Sequence, residues 1–139
     1  MWRTCATENQ QRAEKAAALR RLRRAQVVEA RRIRNIVTDC YTVTLAQLRA
    51  PCRHRSMAEP RQVAMYLMRV DLRWPTVTRN APFPMARIGR LFGGRDHSTV
   101  AHDVAAIAAR LDTDAHLNWM LRTIQATLDA AHEDGRGAA

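Results

Sequence analysis

Breakers of regular structure are scarce in this 139-residue chain: five glycines and five prolines, a supply that favours helices throughout. Aromatic residues make up only 5% of the sequence. Few stacking side chains are therefore on offer, which argues against single-stranded RNA as the main partner. Three cysteines (Cys5, Cys40 and Cys52) are odd in number, far apart and without a C-x-x-C pair. They read as reduced thiols, with no metal or redox role and no cofactor expected. No apolar run approaches the length of a membrane span, and Arg20, Arg21, Arg23 and Arg24 interrupt the only Ala/Leu-rich stretch near the N-terminus. Neither a membrane anchor nor a signal core is expected, so the chain is expected in the cytoplasm. A G-x-x-x-x-G-K-[ST] loop is missing too, so no ATPase module is expected.

What is present in excess is positive charge, +10 with a pI near 11.2. Residues 1–34 carry ten Lys and Arg against three acids, residues 35–102 ten against four, and residues 103–139 three against six. Such a map calls for a polyanion, most simply nucleic acid, and puts the contact in the first three quarters of the chain. The 47% hydrophobic content is enough for one core, with a single domain and an appendage expected from the length.

The organising stretch runs from Gly89 to His102. Met85, Ile88 and Phe92 share one helical face; Gly93 stands where a helix ends in the left-handed conformation. Asp96 suits an N-cap accepting from Ser98 or Thr99, and Val100, Val104, Ile107 and Leu111 continue as a second apolar stripe. Two amphipathic helices joined by a glycine turn describe a helix-turn-helix, whose second helix would present a polar first turn of Asp96, His97, Ser98 and Thr99 to a major groove.

Other segments fall into place around it. Residues 8–32 predict a charged, solvated helix, with Ala17, Ala18, Leu19 and Leu22 offering a thin apolar edge for possible self-association or a protein partner. Ile33, Ile36, Val37 and Cys40 or Tyr41 form the first core stripe. Thr44 and Gln47 make a capping box for a short helix ended by Pro51. A basic loop over residues 51–58 precedes a helix that Pro60 starts, running to about Leu72 with Val63, Leu67 and Val70 inward and Gln62, Met65, Tyr66 and Arg69 on another side. Residues 73–84, with three prolines, predict a surface loop rather than a wing against DNA. Leu117, Met120, Leu121, Ile124 and Leu128 predict a closing helix, with disorder from Glu133. The expected fold is an all-α compact helical bundle: residues 1–32 a basic helical extension, 33–132 the helix-turn-helix domain, 133–139 a disordered tail.

Catalysis has little foothold. Asp96, His97 and Ser98 are consecutive, and neighbouring helical residues point about 100° apart, so they cannot converge as a triad. His97 and His102 stand five residues apart without a third ligand, so no metal is expected. The chain is expected not to be an enzyme.

Phe-Gly-Gly-Arg-Asp-His-Ser-Thr-Val-Ala-His, residues 92–102, closely resembles the signature of the C-terminal DNA-binding domain of the bacterial replication initiator DnaA. Residues 53–65, Arg-His-Arg-Ser-Met-Ala-Glu-Pro-Arg-Gln-Val-Ala-Met, resemble that domain's basic loop and following helix at the required spacing, and the likeness covers residues 33 to 128. Compared with that pattern, the 73–84 connection is longer by about a strand's worth of residues. The resemblance implies that Arg53 enters a minor groove and that Asp96, His97 and Ser98 read the major groove. It implies phosphate contacts for Arg61, Gln62, Arg69 and Thr99, and makes Arg55 and His102 neighbours of phosphates. Arg95 is left between binding phosphate and buttressing the turn; His54 reads as an exposed spectator. Ser98 stands where threonine is usual and Ala86 where proline is usual, which alters a methyl contact and a backbone contact respectively. The implied partner is double-stranded DNA at a site like the DnaA box, and the implied use is transcription control by a free-standing phage or gene-transfer-agent type of reader. The alternatives are a modulator of replication initiation and a protein-interaction adaptor.

Overall fold

The structure, a computed structural model, describes residues 2–51 and 54–137. In chain order it contains α1 (Trp2–Tyr41), α2 (Leu45–Arg49), α3 (Arg55–Asp71), β1 (Arg73–Pro75), β2 (Asn80–Pro82), α4 (Met85–Leu91), α5 (His97–Arg110) and α6 (Ala115–Gly137). The fold is an all-α helical bundle with one small antiparallel hairpin, β1 to β2, in which Trp74 pairs with Ala81. No helix among the described residues is long and apolar enough to cross a membrane.

With no glycine or proline between residues 2 and 41, α1 runs unbroken through the expected 32/33 boundary. Its first half is mostly exposed; Ala30, Ile33, Ile36 and Val37 are buried and join the core at i, i+3, i+6 and i+7. Leu19 and Leu22 line a shallow groove with Val77. The helix ends at Thr42 in a left-handed conformation, φ 56°, unusual for a β-branched residue, with the Val43 N–H closing on the Thr38 carbonyl at 3.0 Å. The capping box expected of Thr44 and Gln47 is formed in both directions, at 3.1 and 2.8 Å.

The central helix α3 packs against α1, α2, α4 and α5. It starts at Arg55, with Pro60 inside it, rather than at Pro60 as the sequence predicts. Pro60, the sixth residue of the helix, removes the backbone donor that would otherwise meet the Ser56 carbonyl in the second turn. Nor does α3 divide into a core face and a polar face: Val63, Ala64, Met65, Leu67 and Met68 are all buried, Arg61 is 5% exposed, and Val70, expected inside, is 45% exposed. A helix surrounded by four others buries most of its circumference, so the two-face pattern did not apply.

Residues 73–82, predicted to be a loop, form the hairpin and seat it on α1. The Trp74 ring meets Phe83 edge-on at 5.5 Å, with the Arg23 and Arg87 guanidinium carbons 4.9 and 4.4 Å from its centroid. Arg23 Nε donates to the Pro75 carbonyl at 2.9 Å, and the Gln26 side chain accepts from the Arg73 N–H at 3.0 Å. The segment expected to be disordered from Glu133 is helical through Gly137; just before it His132 meets Glu29 of α1 at 2.6 Å and ties the two long helices together. Arg110 pairs with Glu59 and Asp114 at 2.7 Å each, joining α3, α5 and the start of α6, where the Asp114 carboxylate accepts from the Leu117 N–H at 3.0 Å.

Candidate nucleic-acid interface

The turn between α4 and α5 is built almost entirely from backbone. Phe92, Gly94 and Arg95 N–H groups all donate to the Gly89 carbonyl, at 3.1, 3.1 and 3.0 Å. Gly93 and Gly94 hold φ at 81° and 79°, where side chains are strained. The chain folds back so tightly that a Cβ on Gly89 would lie 1.9 Å from the Arg95 carbonyl oxygen. The only sign of this demand in the sequence is a glycine, Gly89, within an apolar-periodic helix.

Beyond the turn, Asp96 caps α5, its Oδ1 accepting from the Thr99 N–H at 2.8 Å. Hydrogen bonds from Thr99, first its backbone and then its side chain, hold the Asp96 carboxyl below the usual carboxylate range, with smaller help from Ser98 and His97. Val100 and Ile107 anchor the helix in the core, which leaves Asp96, His97, Ser98 and Thr99 exposed on its first turn and His102 exposed one turn on. Four adjacent donors and acceptors on a rigid helix start are dimensionally suited to reach base edges and a phosphate.

The other expected contacts are arranged differently. Arg61 is buried, and its Nη1 reaches the Ala50 carbonyl at 3.5 Å, while Arg95 Nη2 donates to the same carbonyl at 2.7 Å. Both guanidinium groups thus brace the end of α2, where the basic loop begins. Arg69 Nη1 donates to the Phe83 carbonyl at 2.7 Å, and Gln62 Nε2 donates to the buried Asp103 carboxylate at 3.0 Å. These bonds turn part of each side chain inward, where the sequence predicts a row of phosphate contacts on α3. A partly buried guanidinium gains more from an unfilled carbonyl than from water, since unsatisfied polar groups are costly inside. His54 is exposed at the N-cap of α3, with Nδ1 3.3 Å from Ser56 Oγ. Arg55 begins α3; its side chain, together with Arg53 and Cys52, lies outside the described residues. Cys40 is a free, half-buried thiol, which burial and then Asp39 push above the usual range. Among the described residues no three His, Cys, Asp or Glu side chains are grouped to hold a metal ion.

Residues 30–107 match the family described as the bacterial dnaA protein helix-turn-helix. The chain is 40% identical over 102 residues to the chromosomal replication initiator protein DnaA of Chloroflexus aggregans, a match covering 73% of this chain and 20% of that protein. It is 38% identical over 96 residues to the proteins of the same name from Paraburkholderia phymatum and Burkholderia multivorans, covering 69% of this chain and 17% of each of theirs. The chain thus spans no more than about a fifth of the length of the curated relatives it matches.

Proposed function

Given that the chain belongs to the bacterial dnaA protein helix-turn-helix family, we propose that it binds specific sequences of double-stranded DNA and acts as a transcription regulator, without catalysing a reaction. The observation that carries this reading is the first turn of α5, where Asp96, His97, Ser98 and Thr99 stand exposed on a helix start fixed by the Gly93 turn and the Asp96 cap. In this reading Asp96, His97 and Ser98 meet base edges in the major groove, Thr99 and His102 meet phosphates, and Arg53 enters the neighbouring minor groove with Arg55 beside it. Arg61 and Arg95 hold the loop that carries Arg53, and Arg69 holds the approach to α4. The protein works in the cytoplasm, on the nucleoid.

Promoters suit this reading because a helix-turn-helix that recognises a specific duplex sequence can act there by occupying its site. A second reading, occupation of DnaA-type boxes to modulate replication initiation, is favoured by the relatives being chromosomal replication initiators. Genome-wide footprinting with the full chain separates them, because it reports the motif together with its promoter or origin context. Failure to prefer any duplex sequence at physiological salt would sink both and leave a protein-interaction adaptor.

A further inference from the structure

Positive charge also gathers on the flank of the helix-turn-helix, away from the first turn of α5. Arg31 of α1 and Arg87 and Arg90 of α4 line one open cavity of about 240 Å³, with Val27, Phe83 and Leu91 as its apolar floor. The three arginines are exposed. Arg34, one turn along α1, donates Nη1 to the Leu91 carbonyl at 3.1 Å, so the cluster is tied to the C-terminal end of α4. Arg49 follows at the end of α2, its carbonyl against Gly93 in the turn itself. Burial, then the like charges of Arg49 and Arg31, push the Arg34 guanidinium below its ordinary range, a sign that these groups crowd one another.

Among the described residues no carboxylate pairs with any of these five arginines. The ion pairs there are those of Arg32 and His132 with Glu29, and of Arg110 with Glu59 and Asp114. An arc of five cations without a counter-charge, running from the turn round the side of α4 to α1, repels itself unless an anion lies along it. The spacing along a surface, with a shallow rather than enclosed cavity, fits a run of phosphates better than a single small anion.

We propose that Arg31, Arg87 and Arg90, with Arg34 and Arg49 behind them, form a second phosphate-gripping face that takes the backbone of the same duplex beyond the segment read by α5. The inference rests on the reading of the protein as a DNA binder. It adds a flank contact, which requires the duplex to run or bend round the edge of α4. The base-reading residues play no part in it.

The test compares two duplexes, one confined to the selected site and one extended by about one helical turn, ~10 bp, on each side. Full-length protein and the double variant Arg31→Gln with Arg90→Gln are titrated on both by fluorescence anisotropy over a salt series. Both positions are exposed, so the variant keeps its fold. The variant is expected to lose about two units of salt slope on the long duplex, near 0.9 for each lost phosphate contact. Its slope on the short duplex and its base preference stay as in the wild type, and hydroxyl-radical protection shortens on one flank. An unchanged slope on the long duplex, with wild-type binding intact, overturns this inference alone. Complexes holding two duplexes per protein overturn it in favour of bridging. Absence of salt-dependent wild-type binding to either duplex removes the DNA-binding reading, and this inference with it.

Discussion

The carbonyl oxygen of Arg49 lies 2.4 Å from the position a Cβ would take on Gly93. The turn of the helix-turn-helix is therefore pressed against the end of α2, and Gly93 serves two purposes there. It supplies the left-handed backbone, and it lets the end of α2 come up against the turn that precedes α5. The strain alone costs about 1–2 kcal/mol for an alanine, before the clash with Arg49 is counted. Gly93→Ala is expected to lower stability by at least about 2 kcal/mol, against about 1 kcal/mol for Gly94→Ala, which shares the conformation but faces open space. Denaturant midpoints of the two variants check the order; equal losses would mean that the contact with Arg49 is not tight.

Asp96 makes part of the stability dependent on pH. Its carboxyl titrates below the usual range when folded, so the unfolded chain takes up the proton first as pH falls. The stabilising contribution is fully present above the unfolded value of about 3.9 and is lost as pH drops through the lower folded value. Asp114, depressed first by the Leu117 N–H and then by Arg110, acts in the same sense. Asp96→Asn keeps an acceptor for the Thr99 N–H but loses the charge. The stability gap between wild type and this variant should stay level near neutrality and close on acidification below about pH 4. A gap that widened in acid would reverse the assignment.

His97 is exposed and carries no packing. His97→Ala is expected to leave the melting temperature unchanged and to relax sequence preference, costing ~1–3 kcal/mol on the preferred site but little on unrelated duplex. Competition binding between the two DNAs measures this. Intact preference with measurable binding would remove α5 from the reading role.

Arg69 distinguishes bracing from direct contact. Its bond to the Phe83 carbonyl predicts that Arg69→Gln loses about 1–2 kcal/mol of stability and loosens the hairpin, with the salt dependence of DNA binding unchanged. A phosphate contact predicts the opposite pattern, a slope lower by about one unit with stability kept. Chemical denaturation and a salt titration on the same variant decide between them. Arg61→Gln follows Arg69→Gln, with the larger loss of stability because that side chain is buried.

Much of this was legible in the residues themselves. The helix-turn-helix, its Gly93 turn and its Asp96 cap all follow from signals that act within about four residues. So do the Thr44 capping box and the apolar stripe of α6. The hairpin was not legible: strands of three residues, each touching a proline, are too short to show alternation, and they form because Trp74 and Phe83 find each other beside α1. Nor is the start of α3 legible, because Pro60 ordinarily marks a first turn, whereas here the helix begins a turn and a half before it.

The linear order of residues by itself determined that this is a cationic helical protein with a helix-turn-helix and an outward polar first turn on the second helix, because periodicity, caps and glycine turns are local. Only the tertiary structure decided where the arginines go. Arg95 meets Ala50 across 45 residues, Arg69 meets Phe83 across 14, and Arg34 meets Leu91 across 57. A guanidinium is drawn to whichever carbonyl the packing of helix ends leaves unfilled, and no local pattern records which carbonyl that will be.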